Sequence, residues 1–220
     1  MKTKKILFYI LSGILGGCVP IMSLHPLFSE KDVVFDEKLL GVWIEDSNTS
    51  ETIWEFTRPD ANENAYRLIF SDKEGKKGSF DAHLTKLQNK LFLDIYPSEP
   101  PWDEADPNKV KWPYNTLFLI PAHTFIKIDS IDLNLTMRLT DDEKMDKLFE
   151  QDPNAVEHTS VDNKPVLTAT TKELQAFVLK YADDNRLFTN ETILSRQKTK
   201  GPDEPLVSEP NEAKRKVDKR

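Results

Sequence analysis

Phe80-Asp-Ala-His-Leu-Thr85 and Leu91-Phe-Leu-Asp-Ile-Tyr96, with Gln88-Asn89 between them, are the stretch that decides the fold. In the first run Phe80, Ala82 and Leu84 alternate with Asp81, His83 and Thr85. In the second, Leu91, Leu93 and Ile95 alternate with Phe92, Asp94 and Tyr96. Side chains of a strand point to opposite faces in turn, so a period of two marks a half-buried strand. Two such runs joined by a short polar turn read as an antiparallel hairpin.

The pattern continues on both sides. Upstream, Thr52, Trp54 and Phe56 share one face of Glu51–Arg58, and Tyr66, Leu68 and Phe70 alternate with Arg67 and Ile69. Downstream, Leu133, Leu135, Met137 and Leu139 alternate with Asn134, Thr136 and Arg138. The turns Asp60-Ala-Asn-Glu-Asn64 and Asp72-Lys-Glu-Gly-Lys-Lys-Gly78 are short and polar. Several consecutive strands with short connections make an antiparallel meander, and the domain is mainly β.

Two amphipathic helices follow. Thr140-Asp-Asp-Glu143 has the spacing of a capping box, with Met145, Leu148 and Phe149 on one face behind it. Thr170-Thr-Lys-Glu173 repeats the device, and Leu174, Phe177, Val178 and Tyr181 follow at i, i+3, i+4 and i+7. Val156–Val161 and Pro165–Ala169 read as strands between the helices, and Leu187–Arg196 as the last strand. From Gln197 to Arg220 the chain is charged and proline-bearing with almost no apolar residue. Such a segment buries too little surface to offset the entropy of ordering, so a disordered tail is expected over 197–220.

At the other end, Lys2, Lys4 and Lys5 precede the uncharged, mostly apolar run Ile6–Gly17. A transmembrane helix needs roughly 20 apolar residues, so this shorter run reads as a cleaved signal over 1–17. It ends in Leu15-Gly16-Gly17-Cys18, which resembles a bacterial lipobox. The resemblance implies acylation of Cys18 and a membrane as partner. Several acyl chains together hold a protein firmly where one does not. Val19 stands where Gram-negative lipoproteins retained at the inner membrane usually carry Asp, which favours the outer membrane. Cys18 is the one cysteine of the chain, so no internal disulfide staples the exported domain. Residues 18–35 lack clear periodicity and are expected to be a tether.

Composition narrows the function classes. The formal charge is −7, and −10 without the three signal lysines. An acidic chain has no general attraction for nucleic acid. Of the 7 glycines, 3 lie in the signal, leaving no Gly-rich phosphate loop.

The domain opens at 36 with Leu40-Gly41-Val42-Trp43 just ahead of the meander. This resembles the Gly-x-Trp of the first strand in lipocalin-like barrels, and the chain is similar to uncharacterised bacterial lipoproteins with such a domain. The resemblance implies an antiparallel lipocalin-like β-barrel over 36–196. It implies Gly41 as the bend into the barrel, Trp43 as the plug of its closed end, and Arg196 as the cation packed on that ring. The insertion 97–113 and the helix after Thr140 depart from the simplest lipocalin plan and leave room for a flattened or filled barrel.

Chemistry-bearing residues are few. His83, His123 and His158 show no metal-ligand spacing, and no cofactor is called for. No Gly-x-Ser-x-Gly elbow occurs. Asp94, in an apolar strand, is expected on the solvent side or paired with a cross-strand Lys or Arg. His123, in Pro121-Ala-His-Thr-Phe125, is the candidate for a residue at the barrel mouth. Trp102 and Trp112, in the long Pro97–Pro113 loop, are candidates to clamp an apolar ligand or dock a protein. The expected role is non-catalytic binding of a small apolar ligand or an envelope partner by a membrane-anchored lipoprotein. The alternative is a structural or assembly accessory of the cell envelope with a filled barrel.

Overall fold

The structure, a computed structural model, describes residues 21–46, 51–61, 63–98, 120–189 and 191–197. Residues 1–17, Cys18, Trp102, Trp112 and the tail beyond Gln197 lie outside them.

Among the described residues, eight strands close into an antiparallel barrel. They are β2 (Gly41–Asp46), β3 (Glu51–Thr57), β4 (Tyr66–Ser71), β5 (Lys77–Leu87), β6 (Lys90–Pro97), β7 (Thr124–Ile131), β8 (Asn134–Leu139) and β11 (Thr192–Arg196). The meander runs from β2 to β8 in chain order, and β11 closes it by pairing with both β8 and β2. The fold is thus the expected mainly β, lipocalin-like barrel with two helices. One phase of each strand fills the interior: Trp43, Trp54, Phe56, Tyr66, Leu68, Ala82, Leu84, Leu93, Ile126, Leu135, Met137 and Leu194. The alternation seen in the sequence is therefore the alternation between inside and outside.

The closed end is built around Trp43. A 3-10 turn, Glu37–Leu39, lies across it, capped by the Asp36 side chain accepting from the Lys38 N–H. The Trp43 indole N–H donates to the Leu39 carbonyl over 2.9 Å, satisfying the one polar atom of a fully buried ring. The Arg196 guanidinium sits 4.2 Å from the centre of the Trp43 ring. It also donates to the carbonyls of Leu40, over 2.7 Å, and Lys38. Gly41 has a φ of 115°, and a Cβ there would come within 2.9 Å of Arg196 Nη1. The positive φ favours glycine at that position, and any side chain there would also have to displace the Arg196 tip. Tyr66 completes this end: its hydroxyl accepts from the Asp36 N–H and donates to the Asp36 carbonyl. Burial pushes the Tyr66 pKa up to about 12, which keeps the donating hydrogen in place.

A second core lies outside the barrel. After β8 come α1 (Asp142–Gln151), the hairpin β9 (His158–Val161) and β10 (Lys164–Leu167), and α2 (Thr171–Tyr181). Phe92 and Phe125, on the outward phase of β6 and β7, pack with Met145, Leu148, Leu167, Leu174, Phe177, Val178 and Phe188. The second helix starts as expected: the Glu173 carboxylate accepts from both the N–H and the hydroxyl of Thr170. The first starts one residue later than expected. Asp141 is its N-cap, accepting from the Lys144 N–H, because the Thr140 hydroxyl instead accepts from the Ile21 N–H.

That contact belongs to the largest departure from the sequence reading. The segment read as a tether is, from Ile21 to Phe35, a strap laid down the outer wall. It begins with β1 (Met22–Ser23), which pairs parallel with β10 and bridges to His123 at the start of β7. Lower down, the Val34 N–H donates to the Leu84 carbonyl and the Lys86 N–H to the Asp32 carbonyl. Ile21 and Leu27 are buried in the outer core, and Phe35 stacks on Tyr66 with ring centres 4.7 Å apart. The expectation of a free tether over 18–35 is corrected for these residues. Their side chains meet a barrel wall rather than a repeating partner, so they carry no period.

Chemical unfolding tests the closed end. Trp43→Ala is expected to cost about 3–5 kcal/mol, as for other large aromatic truncations. Arg196→Lys keeps the charge but loses the planar stack and the paired carbonyl contacts, and is expected to cost about 1 kcal/mol. A denaturation midpoint unchanged in both variants would refute this account of the plug.

Candidate functional site

Asp94 is the most unusual side chain in the molecule. It sits on the outward phase of β6 and is fully buried. The expected solvent-side position, or pairing with a cross-strand Lys or Arg, is corrected: the strap covers it. Its Oδ2 accepts from the Leu27 N–H over 2.7 Å, and its Oδ1 lies 2.7 Å from Nδ1 of His123. An ionised carboxylate only accepts, so this contact suits a His123 that carries hydrogen on Nδ1. Burying a charge without partners costs several kcal/mol, and these two hydrogen bonds are what permit this one.

The neighbours form a small cluster on the wall. β5, β6 and β7 set His83, Asp94 and Phe125 in one cross-strand row. The His123 ring packs on Tyr96, with centres 4.5 Å apart. His83 stacks on Phe28 of the strap at 4.2 Å. Burial pulls the His83 pKa below the ordinary histidine value, against the opposing pull of Asp94 and Asp81. An aspartate orienting a histidine is half of a catalytic arrangement; the other half is a nucleophile on the far ring nitrogen. Among the described residues no hydroxyl hydrogen-bonds to that nitrogen of His123. Nor do three His, Cys, Asp or Glu converge on a point where a metal could sit.

A second polar group lies lower on the same wall. Lys127 pairs with Asp129 at 2.9 Å, and Arg138 with Asp129 at 2.7 Å and Glu191 at 2.6 Å. Lys90 pairs with Asp183, just beyond α2, at 2.6 Å. Lys127, Arg138, Asp183, Asp184 and Phe188 line a cleft of about 140 Å³ beside them. Each cation has a carboxylate, so the group ties the end of α2 to the barrel and offers no unpaired charge to a ligand.

The barrel interior is the third place to look. Trp43, Tyr66, Ala82, Leu84, Leu93, Leu135 and Leu194 are wholly inaccessible, so no water-sized space touches them. Toward the other end the packing relaxes. Trp54 meets Phe70 edge to face, with ring centres 5.1 Å apart, and Phe70 and Phe80 are half-buried.

The structure therefore distributes the sequence candidates unevenly. Gly41, Trp43 and Arg196 meet at the closed end. His123 belongs to the outer wall, its ring turned to Asp94 rather than into the mouth. Trp102, Trp112 and Cys18 fall outside the described residues. Comparison with known protein families, curated proteins and solved structures finds no match. The strap clasp escaped the sequence reading, yet β6 carries its signal. Phe92 is as apolar as Leu91, Leu93 and Ile95 and Tyr96 is aromatic, so both phases of the strand carry large hydrophobic side chains, the pattern of a strand covered on both faces.

The lowered His83 pKa fixes a pH dependence. The unfolded chain takes up a proton near pH 6.5, the ordinary histidine value, while the folded chain resists until lower pH. The unfolded state then binds more protons, so stability falls as pH drops below about 6.5 and levels off below the folded pKa. Denaturation midpoints measured between about pH 7.5 and pH 5 should fall less in His83→Gln than in the wild type. Parallel pH profiles would show that His83 does not titrate as described.

Proposed function

We propose that this is a membrane-tethered, non-catalytic lipocalin-like lipoprotein whose barrel is a packed scaffold, an accessory of the bacterial envelope. Its working surface is the outside. The observation that carries this reading is the inaccessible interior. A carrier of drug-sized apolar molecules uses a pocket of roughly 300–1,000 Å³. Here the lower barrel is taken up by Trp43, Phe56, Tyr66, Leu68 and Leu84. The lysine-flanked apolar run ending at Cys18 supports export and acylation, with the outer membrane favoured by Val19. Asp94 also accepts from the Leu27 N–H of the strap, which favours a structural use of the Asp94–His123 pair.

One observation favours a second reading. Trp54, Phe70 and Phe80 form an aromatic patch at the open end. An apolar ligand would sit there, at the mouth.

Titration with a fluorescent fatty acid separates the two. The packed scaffold predicts no saturable quenching of tryptophan emission, and no lipid retained inside the barrel by native mass spectrometry of protein released from its anchor. Saturable quenching that is weakened by Trp54→Ala, Trp102→Ala or Trp112→Ala would overturn the scaffold reading in favour of a ligand at the mouth.

A further inference from the structure

The outward face of the small sheet β1-β10-β9 carries exposed apolar side chains. Met22, Val166 and Thr159 stand in one cross-strand row, and Lys164 and Val161 in the next. Side chains alternate, so Val161 shares the face of Thr159, and Lys164 that of Val166. Leu24 extends β1 on the same phase, its N–H donating to the Leu167 carbonyl. Met22, Leu24 and Val161 are exposed at 37%, 44% and 54%, whereas Ile21, Ser23 and Leu167 on the opposite phase are buried. The face therefore exposes Met22, Leu24 and Val161 around a buried Val166, with one ammonium, Lys164, and two carboxylates beside it: Glu157, which precedes β9 on the same phase, and Asp162 in the β9–β10 turn.

What covers it follows from chain length. Cys18 is three residues before Ile21, the first residue of the docked strap. Whatever their conformation, three residues span at most about 10 Å. Met22 is the next residue, and β9 lies two strand spacings, roughly 10 Å, from β1. A lipid carried by Cys18 would thus hold this whole face within reach of the bilayer surface. A domain on so short a leash cannot tumble freely.

We infer that the outer face of β1-β10-β9 rests on the membrane that anchors the protein, with Met22, Leu24 and Val161 in the headgroup region. The inference rests on the acylation of Cys18 proposed above. Partial burial of apolar side chains at the interface adds to acyl-chain binding. The barrel's opposite end, marked by the β7–β8 turn at Leu133, then points away from the membrane. Leu133 is 89% exposed, so exposure alone does not decide which apolar residues meet lipid.

The test uses the mature lipidated protein in vesicles of phosphatidylethanolamine and phosphatidylglycerol. Acylation consumes the one native thiol, so Met22→Cys, Leu24→Cys, Val161→Cys and Leu133→Cys each present a single site for an environment-sensitive fluorophore. Thr159→Cys serves as a further probe on the same face. Mass spectrometry first establishes whether Cys18 carries acyl chains. Quenching by lipid-borne nitroxide is expected to be at least about twofold stronger at 22, 24, 159 and 161 than at 133. Acylated protein with equal quenching at all positions would overturn the docked face while the anchor stands. Protein without acyl chains would overturn both.

Discussion

The middle of the wall made by β5, β6 and β7 is buried on both faces, and the rest of the molecule is arranged around that constraint. Inside, Ala82, Leu84, Leu93, Ile126 and Ile128 belong to the barrel core. Outside, Phe92 and Phe125 belong to a second core shared with both helices and the strap. Where the strap crosses it, the wall has no solvent face on which to leave a charge. Asp94 nonetheless points outward from its middle. Its carboxylate is held by the Leu27 N–H and by His123, and Gln175 of α2 fastens the next turn of the strap by donating to the Leu27 carbonyl and to Asp32. Strap, wall and helix are joined at one polar point inside an apolar layer. The expense of a buried unpaired charge makes that point specific: a strap displaced by one residue would leave the carboxylate without its N–H.

This arrangement shapes what the protein can do. Barrels of this kind are often read as cups, yet here Trp43, Leu39 and Arg196 seal one end and the lower interior is solid. Small barrels are commonly filled by their own side chains. The elaboration has gone to the outside instead, where a strap, a three-stranded sheet and two helices are added to one wall. The strap, which would carry the anchor proposed at Cys18, begins on that same side.

Much of the barrel was legible because a period of two is imposed by the chain itself. Trp54 and Phe56, Leu84 and Leu93, and Leu135 and Met137 announced their strands and faces directly. The Thr170–Glu173 capping box was legible for the same reason, since all its parts lie within four residues. What stayed hidden depends on contacts between distant residues. Thr140 looked like an N-cap, but its hydroxyl was taken by Ile21, 119 residues away. The strap had no repeat to display, because it follows an uneven wall. Asp94 read as a solvent-side residue because one acid in an alternating strand usually is. The fact that both phases of β6 carry large hydrophobic side chains was the available clue.

Amide hydrogen exchange in the mature protein tests most directly whether the strap is part of the fold. The Leu27 and Val34 N–H groups, bonded to Asp94 and to the Leu84 carbonyl, should be protected to nearly the same degree as amides of β6. In Asp94→Ala, Leu27 should lose that protection while β6 keeps its own. Exchange of the Leu27 amide at the rate of an unprotected chain in the wild type would contradict the account.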